Sequence, residues 1–251
     1  MKITAAVITH NEEHNIAEAL ESLSWADEII VVDSESDDQT TEIARRYTDK
    51  VIVRPWPGYS AQKNFAAEQA SNDWIFSLDA DERVSPDLAR EIEQIRSGPD
   101  PGAAGFEMPR LAFYLGRWIK HSGWYPDYKL RLYDRRRGRW KGKYVHETLE
   151  VDGEIKRLTG NLLHFTVRDA SEHHLRLDRY TTLAAQEAFS NGKRASLWSL
   201  LLTPRLVFAR SFFLKLGFLD GWQGLVIARF AEHYAFLKAA KLFELQKRDR
   251  R

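Results

Sequence analysis

Over its first hundred residues the chain alternates short apolar runs with amphipathic stretches. Ile3 to Ile8 carries no charge and reads as a buried strand, and Asn11 to Leu23 follows with Ile16, Leu20 and Leu23 at helical spacing. Glu28 to Asp33 repeats the strand pattern, and the turn Ser34 to Asp37 leads into a helix carrying Ile43, Ala44 and Tyr47. Val51 to Val53 is a third strand, stopped by Pro55 and Pro57. Ser60 to Gln69 reads as helix and the run from Trp74 to Leu78 as a fourth strand. Ser85-Pro86-Asp87 then supplies a cap, a proline suited to the first helical position and an acid suited to the dipole, ahead of a stripe of Leu88, Ile92 and Ile95. This alternation predicts an α/β fold with a parallel sheet and right-handed crossovers.

The texture changes after Gly98-Pro99-Asp100-Pro101-Gly102. Phe106 to Tyr114, Lys129 to Tyr133 and Leu158 to Phe165 read as strands between loops rich in Trp, Tyr, Arg and Gly. From Ser171 the pattern is helical through Leu175, Tyr180 and Phe189 to a stop at Asn191-Gly192. We therefore expect a catalytic domain over 1–168, made of halves 1–98 and 103–168, and a helical extension over 169–251. Arginines and lysines spaced among apolar residues from Leu197 to Leu245 suit helices lying on an anionic membrane, a helical subdomain packed on the catalytic domain, or a dimer interface.

Composition narrows the partners. With 29% charged and 43% hydrophobic residues the chain is an ordinary globular one, and its net charge of +1 gives no reason to expect nucleic acid. The absence of cysteine excludes disulfides and thiolate metal sites and suits a reducing compartment. Lys2 precedes only a short apolar run that soon turns acidic, so no signal peptide is expected. No run of about 18 consecutive apolar residues is present, so no spanning helix is expected.

Chemistry gathers at the end of the fourth strand. Asp79, Asp81 and Glu82 crowd three carboxylates into four positions, a repulsion that a cation would relieve, and oxygen ligands suit Mg²⁺ or Mn²⁺. A solvated acidic turn is the plainer reading. Asp33 ends the second strand as Asp79 and Asp81 end the fourth, so these three acids should face one edge of the sheet, where open α/β sheets bind ligands. Neither a P-loop nor a dinucleotide fingerprint is present.

Thr9-His10-Asn11-Glu12, the segment Val32 to Thr40, the run Gln62-Lys63-Asn64 and Leu78-Asp79-Ala80-Asp81-Glu82 resemble, in order and spacing, the family 2 glycosyltransferases of the GT-A fold. Lys129-Leu130-Arg131-Leu132-Tyr133, the pair His146-Glu147 and Leu163-His164-Phe165 are similar to the lipopolysaccharide-core β-1,4-glucosyltransferase subgroup. The resemblance implies a Rossmann-like, mostly parallel central sheet and a UDP-sugar donor passed to a glycan or glycolipid acceptor. It implies that Asp33 contacts the uracil, Asp79 the ribose and metal, and Asp81 the Mg²⁺ or Mn²⁺ that bridges the diphosphate. Thr9, Gln62, Lys63 and Arg131 fall beside the donor. Asn11 is either a donor contact or a helix cap, and from charge alone Lys63 is a solvated helix residue. Glu82 has a supporting or helix-start role.

Inverting transfer needs a single general base. Glu147 is the first choice because an acid beside a histidine follows a basic, aromatic stretch, and Asp127 in Trp124-Tyr125-Pro126-Asp127-Tyr128 is the second; the chain lacks the Glu-Asp pair usual at this position in the family it resembles. His164 is either a third metal contact or a core histidine. Trp118, Trp124, Tyr125 and Trp140 suit sugar stacking or packing equally. The location implied is cytoplasmic, at the inner face of the cytoplasmic membrane. A nucleotidyltransferase would want a glycine-rich basic loop after the first strand, which Thr9 to Glu12 is not. A catalytically inactive glycan-binding or scaffold protein is the other rival.

Overall fold

The computed structural model describes residues 1–99, 101–142 and 147–249. Asp100, His146 and the tail residues Arg250 and Arg251 lie outside the described residues. In chain order the elements are β1 (Ile3–Thr9), α1 (Ile16–Glu21), β2 (Glu28–Asp33), α2 (Thr40–Ala44), β3 (Val51–Val53), α3 (Tyr59–Glu68), β4 (Trp74–Asp79), β5 (Glu82–Val84) and α4 (Pro86–Ser97). There follow β6 (Gly105–Tyr114), β7 (Arg117–Ile119), β8 (Asp127–Asp134), β9 (Gly138–Lys141), β10 (Thr148–Val151), β11 (Ile155–Arg157) and β12 (Leu162–Val167). The rest is α5 (Ala170–Ser190), α6 (Leu197–Leu201), α7 (Thr203–Ala209), a π turn (Arg210–Leu214), a 3-10 turn (Gly217–Asp220) and α8 (Gly221–Asp249). The chain divides into two compact units, Met1–Arg110 with Asp127–His164, and Leu111–Pro126 with Phe165–Arg251.

In unit 1, β3, β2, β1 and β4 lie side by side and parallel, while β8 runs antiparallel to β4 and β6 antiparallel to β8. Every residue of β1 is buried, which is why its sequence is an apolar run rather than an alternation. One face packs Val7, Ile16, Leu20, Phe76 and Leu78, the other Ile8, Ile30, Val32, Ala66 and Ile75. Register then places the acids: Thr9 pairs with Asp33 and Ile8 with Asp79, so these two aspartates end the strands on either side of β1. The expected cap of α4 is present, Ser85 Oγ accepting the Leu88 N–H at 3.2 Å above the buried Leu88 and Ile92.

Two local expectations change. Asn11 does not cap a helix: α1 begins only at Ile16, and Asn11 sits at φ +55° in a loop. Glu82 does not open a helix but starts β5, which pairs with β12 so that His164 lies opposite Glu82.

Unit 2 joins β7, paired to the far end of β6, with helices. Asp169 caps α5 by accepting the Glu172 N–H at 2.8 Å, and Gly192 at φ +73° ends the run where Asn191-Gly192 predicts a stop. Ala185 and Ala188 of α5 pack against Leu242 of α8. Contrary to the count of consecutive apolar residues, Leu197–Leu214 is long and apolar enough by composition to cross a membrane, although only 11% of it is buried. Arg205 and Arg210 interrupt the run without cancelling its apolar character.

Candidate functional site

The carboxyl ends of β1 and β2 are stitched together by short polar side chains. Asp33 is fully buried, and Ser36 donates to it twice, from N–H to Oδ2 at 2.8 Å and from Oγ to Oδ1 at 2.5 Å. The Asn11 N–H donates to Ser36 Oγ at 2.8 Å, and Asn11 Oδ1 accepts the Asp37 N–H at 3.0 Å. The left-handed backbone at Asn11 is what lets one residue reach both. From α3, Gln62 Nε2 donates to Ser34 Oγ at 3.0 Å. Gln62 Oε1 and Thr9 Oγ1 are buried without a hydrogen-bond partner, two polar atoms a fold does not leave bare without cost.

Beside this cradle lies a buried ionic chain. Lys63, only 1% exposed, puts its Nζ 3.0 Å from Asp79 Oδ1 and 3.2 Å from Glu147 Oε1, and lies 4.4 Å over the Trp140 ring. Arg131, 4% exposed, donates from Nη2 to Asp79 Oδ2 and to Glu82 Oε1, both at 2.7 Å. Burial opposes ionisation of Asp79, but the charges of Arg131 and Lys63 outweigh it and hold its carboxyl well below the usual carboxylate range. Burial likewise opposes charge on Arg131, and Asp79 and Glu82 overcome it to keep the guanidinium firmly protonated.

These contacts correct several sequence-based roles. Lys63 is no solvated helix residue. Arg131 meets two acids, Asp79 and Glu82, through one nitrogen. Trp140, 6% exposed, lies under Lys63 instead of offering a sugar platform. Trp118 packs on Phe113 and Phe165, and Trp124 on Tyr114, within unit 2.

The remaining acids separate by their partners. Asp81 Oδ2 lies 3.2 Å from His164 Nε2, both side chains less than a fifth exposed. A carboxylate oxygen and an imidazole nitrogen converging at that distance are a donor pair suited to a divalent cation such as Mn²⁺. Among the described residues no cluster of three or more His, Asp or Glu side chains could hold a metal. Asp79 has one oxygen against Lys63 and the other against Arg131, which leaves Asp81 and His164 as the better pair. Asp127 receives Arg110 Nη2 at 2.7 Å and Nε at 3.1 Å, with Lys129 Nζ at 3.0 Å, and so carries three donors. Glu147 faces Lys63 alone among the contacts described. Arg110, which also reaches Glu82 at 3.4 Å, has no sequence signal beyond its charge.

The chain is similar to known proteins in sequence and in fold. The glycosyl transferase family 2 profile matches residues 4–147. The lipopolysaccharide core biosynthesis glycosyltransferase LpsC of Rhizobium meliloti (strain 1021) is 33% identical, over 97% of this chain and 93% of its own length. An uncharacterized glycosyltransferase of Rickettsia typhi is also 33% identical, over 99% of this chain and 89% of its own. In fold the chain is similar to a mannosyltransferase from Pyrobaculum calidifontis, solved in complex with GDP-Man and Mn²⁺, with a TM-score of 0.53 at 16% identity over 96% of this chain and 86% of that one. With its profile match spanning more than half its length, the chain belongs to glycosyl transferase family 2 and is a glycosyltransferase of the GT-A type.

Proposed function

We propose that this glycosyltransferase is an inverting, metal-dependent enzyme that moves glucose from UDP-glucose to a lipopolysaccharide-core or other cell-envelope glycan. The carrying observation is the Lys63 bridge, which joins Asp79 at a strand end to Glu147 in the second half of unit 1. In this reading the cradle of Thr9, Asn11, Asp33 and Gln62 takes the nucleoside, where the two unpartnered oxygens would accept hydrogen bonds. Asp81 and His164 would hold a divalent cation, which supplies charge neutralisation for the departing diphosphate. Two protein ligands suffice, since Mg²⁺ and Mn²⁺ commonly take their other ligands from phosphates and water. Lys63 adds a positive charge on the same side, and Arg131 keeps Asp79 ionised and in place.

Glu147 is the base. Its carboxylate would take the proton of the acceptor hydroxyl as that oxygen attacks the anomeric carbon, and the bond to the diphosphate breaks on the opposite face. Asp127, already shared among Arg110 and Lys129, is less free to accept a proton. The relative named for lipopolysaccharide core biosynthesis supports the acceptor class. The functional division into a catalytic domain over 1–168 and an extension over 169–251 belongs to the same reading, as does a location at the inner face of the cytoplasmic membrane.

The test is a panel of nucleotide sugars with Mn²⁺ or Mg²⁺, products read by mass spectrometry. UDP-glucose should be consumed fastest, and Asp81→Ala or excess EDTA should remove the activity. Full turnover in EDTA would refute the metal, and preference for another donor would refute the sugar.

A further inference from the structure

Unit 2 leaves large apolar side chains in water along one run of chain. Trp198, Leu206 and Leu214 are 72%, 67% and 79% exposed, and Phe218, Leu219 and Trp222 are close to half exposed or more. This surface is held in place. The elements bearing it pack on α8 and on one another, with Phe212 in ring contact with Phe208, Phe213 and Phe218. Gly224 approaches the 3-10 turn so closely that a Cβ there would lie 1.8 Å from the Gly217 carbonyl oxygen.

Charge on the same run has one sign. Between Glu187 and Asp220 stand Lys193, Arg194, Arg205, Arg210 and Lys215, and no acid. Asp220 itself is 1% exposed and accepts the His121 N–H at 2.8 Å. Beside Leu214 and Leu216 a recess of about 390 Å³ is lined by Lys120, His121 and Lys215. Exposed aromatic and aliphatic side chains interleaved with cations are what an interfacial helix presents to anionic lipid.

Two other occupants fit less well. A second copy would set the same five cations against themselves. A membrane-crossing helix would carry Arg205 and Arg210 inside its span, would be interrupted between α6 and α7 at Leu202, and would leave unexplained the apolar surface that continues from Leu216 to Trp222. We propose that the face from Leu197 to Trp222 seats unit 2 in the interfacial layer of a bilayer containing anionic phospholipid. The apolar side chains lie among the upper acyl chains, and Arg205, Arg210 and Lys215 lie at the headgroup phosphates. This identifies the surface behind the membrane location proposed above and rests on that reading, while the transfer chemistry does not enter it.

The experiment is co-sedimentation of the purified full chain with vesicles of phosphatidylcholine, alone or with about a third phosphatidylglycerol. Binding should favour the anionic vesicles by about tenfold or more and weaken as salt rises. The double variant Leu206→Glu with Leu214→Glu should lose that binding while hydrolysing UDP-glucose at the parent rate. Arg205→Gln with Lys215→Gln should reduce only the preference for anionic lipid. Equal binding to both vesicles, no binding to either, a dimer in light scattering that Leu214→Glu separates, or retention in cell membranes after alkaline carbonate would each overturn the proposal. Vesicle binding without sugar transfer would refute the catalytic reading alone, and transfer without vesicle binding would refute this one alone.

Discussion

In unit 1 the side chains of Lys63, Arg131 and Glu82 are at most 4% exposed, whereas in unit 2 Trp198, Leu206 and Leu214 are two-thirds exposed or more. Both regions invert the usual rule of apolar inside and charged outside. They differ in how the cost is met. Unit 1 answers the buried Lys63, Arg131 and Glu82 with opposite charges from distant parts of its own chain, Lys63 from α3 and Arg131 from β8 meeting acids at the ends of β4 and β5. Unit 2 instead leaves Trp198, Leu206 and Leu214 largely in water in the folded chain. Removing a group from the first region should therefore damage fold or turnover, and removing one from the second should damage neither.

The largest effect is expected at Glu147. Replacing it with glutamine keeps the shape and removes the base, and sugar transfer should fall by about a hundred- to ten-thousandfold with nucleotide binding intact. Asp127→Asn should change transfer only a few-fold; the reverse ranking in a steady-state assay would exchange their roles. Next in size is Arg131→Met, which leaves Glu82 fully buried and Asp79 with one cation. Losing one partner of a buried ionic group costs about 3–5 kcal/mol, so the melting transition of unit 1 should drop by roughly 10 °C. A shift within the error of calorimetry would mean that the Arg131 contacts offset no more than their own desolvation.

How much of this was legible follows the same divide. β1, β2 and β4 announce themselves because strands buried on both faces must be continuous apolar runs, and the acids that end them are visible for the same reason. Lys63 misleads, since lysine on a helix ordinarily faces water and only the ring of Trp140 with Asp79 and Glu147, distant in sequence, makes burial tolerable. Arg131 can be picked out by motif, but its partners cannot. They depend on β8 pairing with β4 in a register that sets Leu132 against Phe76 across more than fifty residues of chain. The three- and four-residue strands β7, β9, β10 and β11 are too short and too charged to carry a period. The apolar face of unit 2 escapes a count of consecutive apolar residues because Arg205 and Arg210 break it.

A smaller effect should appear as pH falls. Burial, helped by the charge of Arg176, pushes His173 down to about 4, where it sits 2.7 Å from the Tyr114 hydroxyl and stacks on Phe230 at 4.0 Å. Between pH 6.5 and 4 the unfolded histidine binds a proton that the folded one refuses. The stability it contributes is therefore whole above pH 6.5 and is lost as pH falls through that window. After allowance for its partial contact with water the loss is roughly 1–2 kcal/mol. Thermal melts of unit 2 at pH 7.5 and 5 should fall further apart in the parent than in His173→Phe, and equal slopes would remove the histidine from the account.

The smallest effect is the sharpest test of the contrast between the two units. Trp198→Ser and Leu206→Ser each delete a large apolar side chain, a change that costs about 2–5 kcal/mol where such a side chain is buried. Here the side chain is two-thirds or more in water in the folded state, so its removal takes away little transfer free energy and opens no large cavity. Each variant should stay within about 0.5 kcal/mol of the parent in urea unfolding, and its slope against urea should be unchanged because no new surface is exposed. A loss above about 2 kcal/mol would mean that the face is covered within the folded protein in solution, and the opposition between a self-compensated site and an outward-facing surface would then fail at its second term.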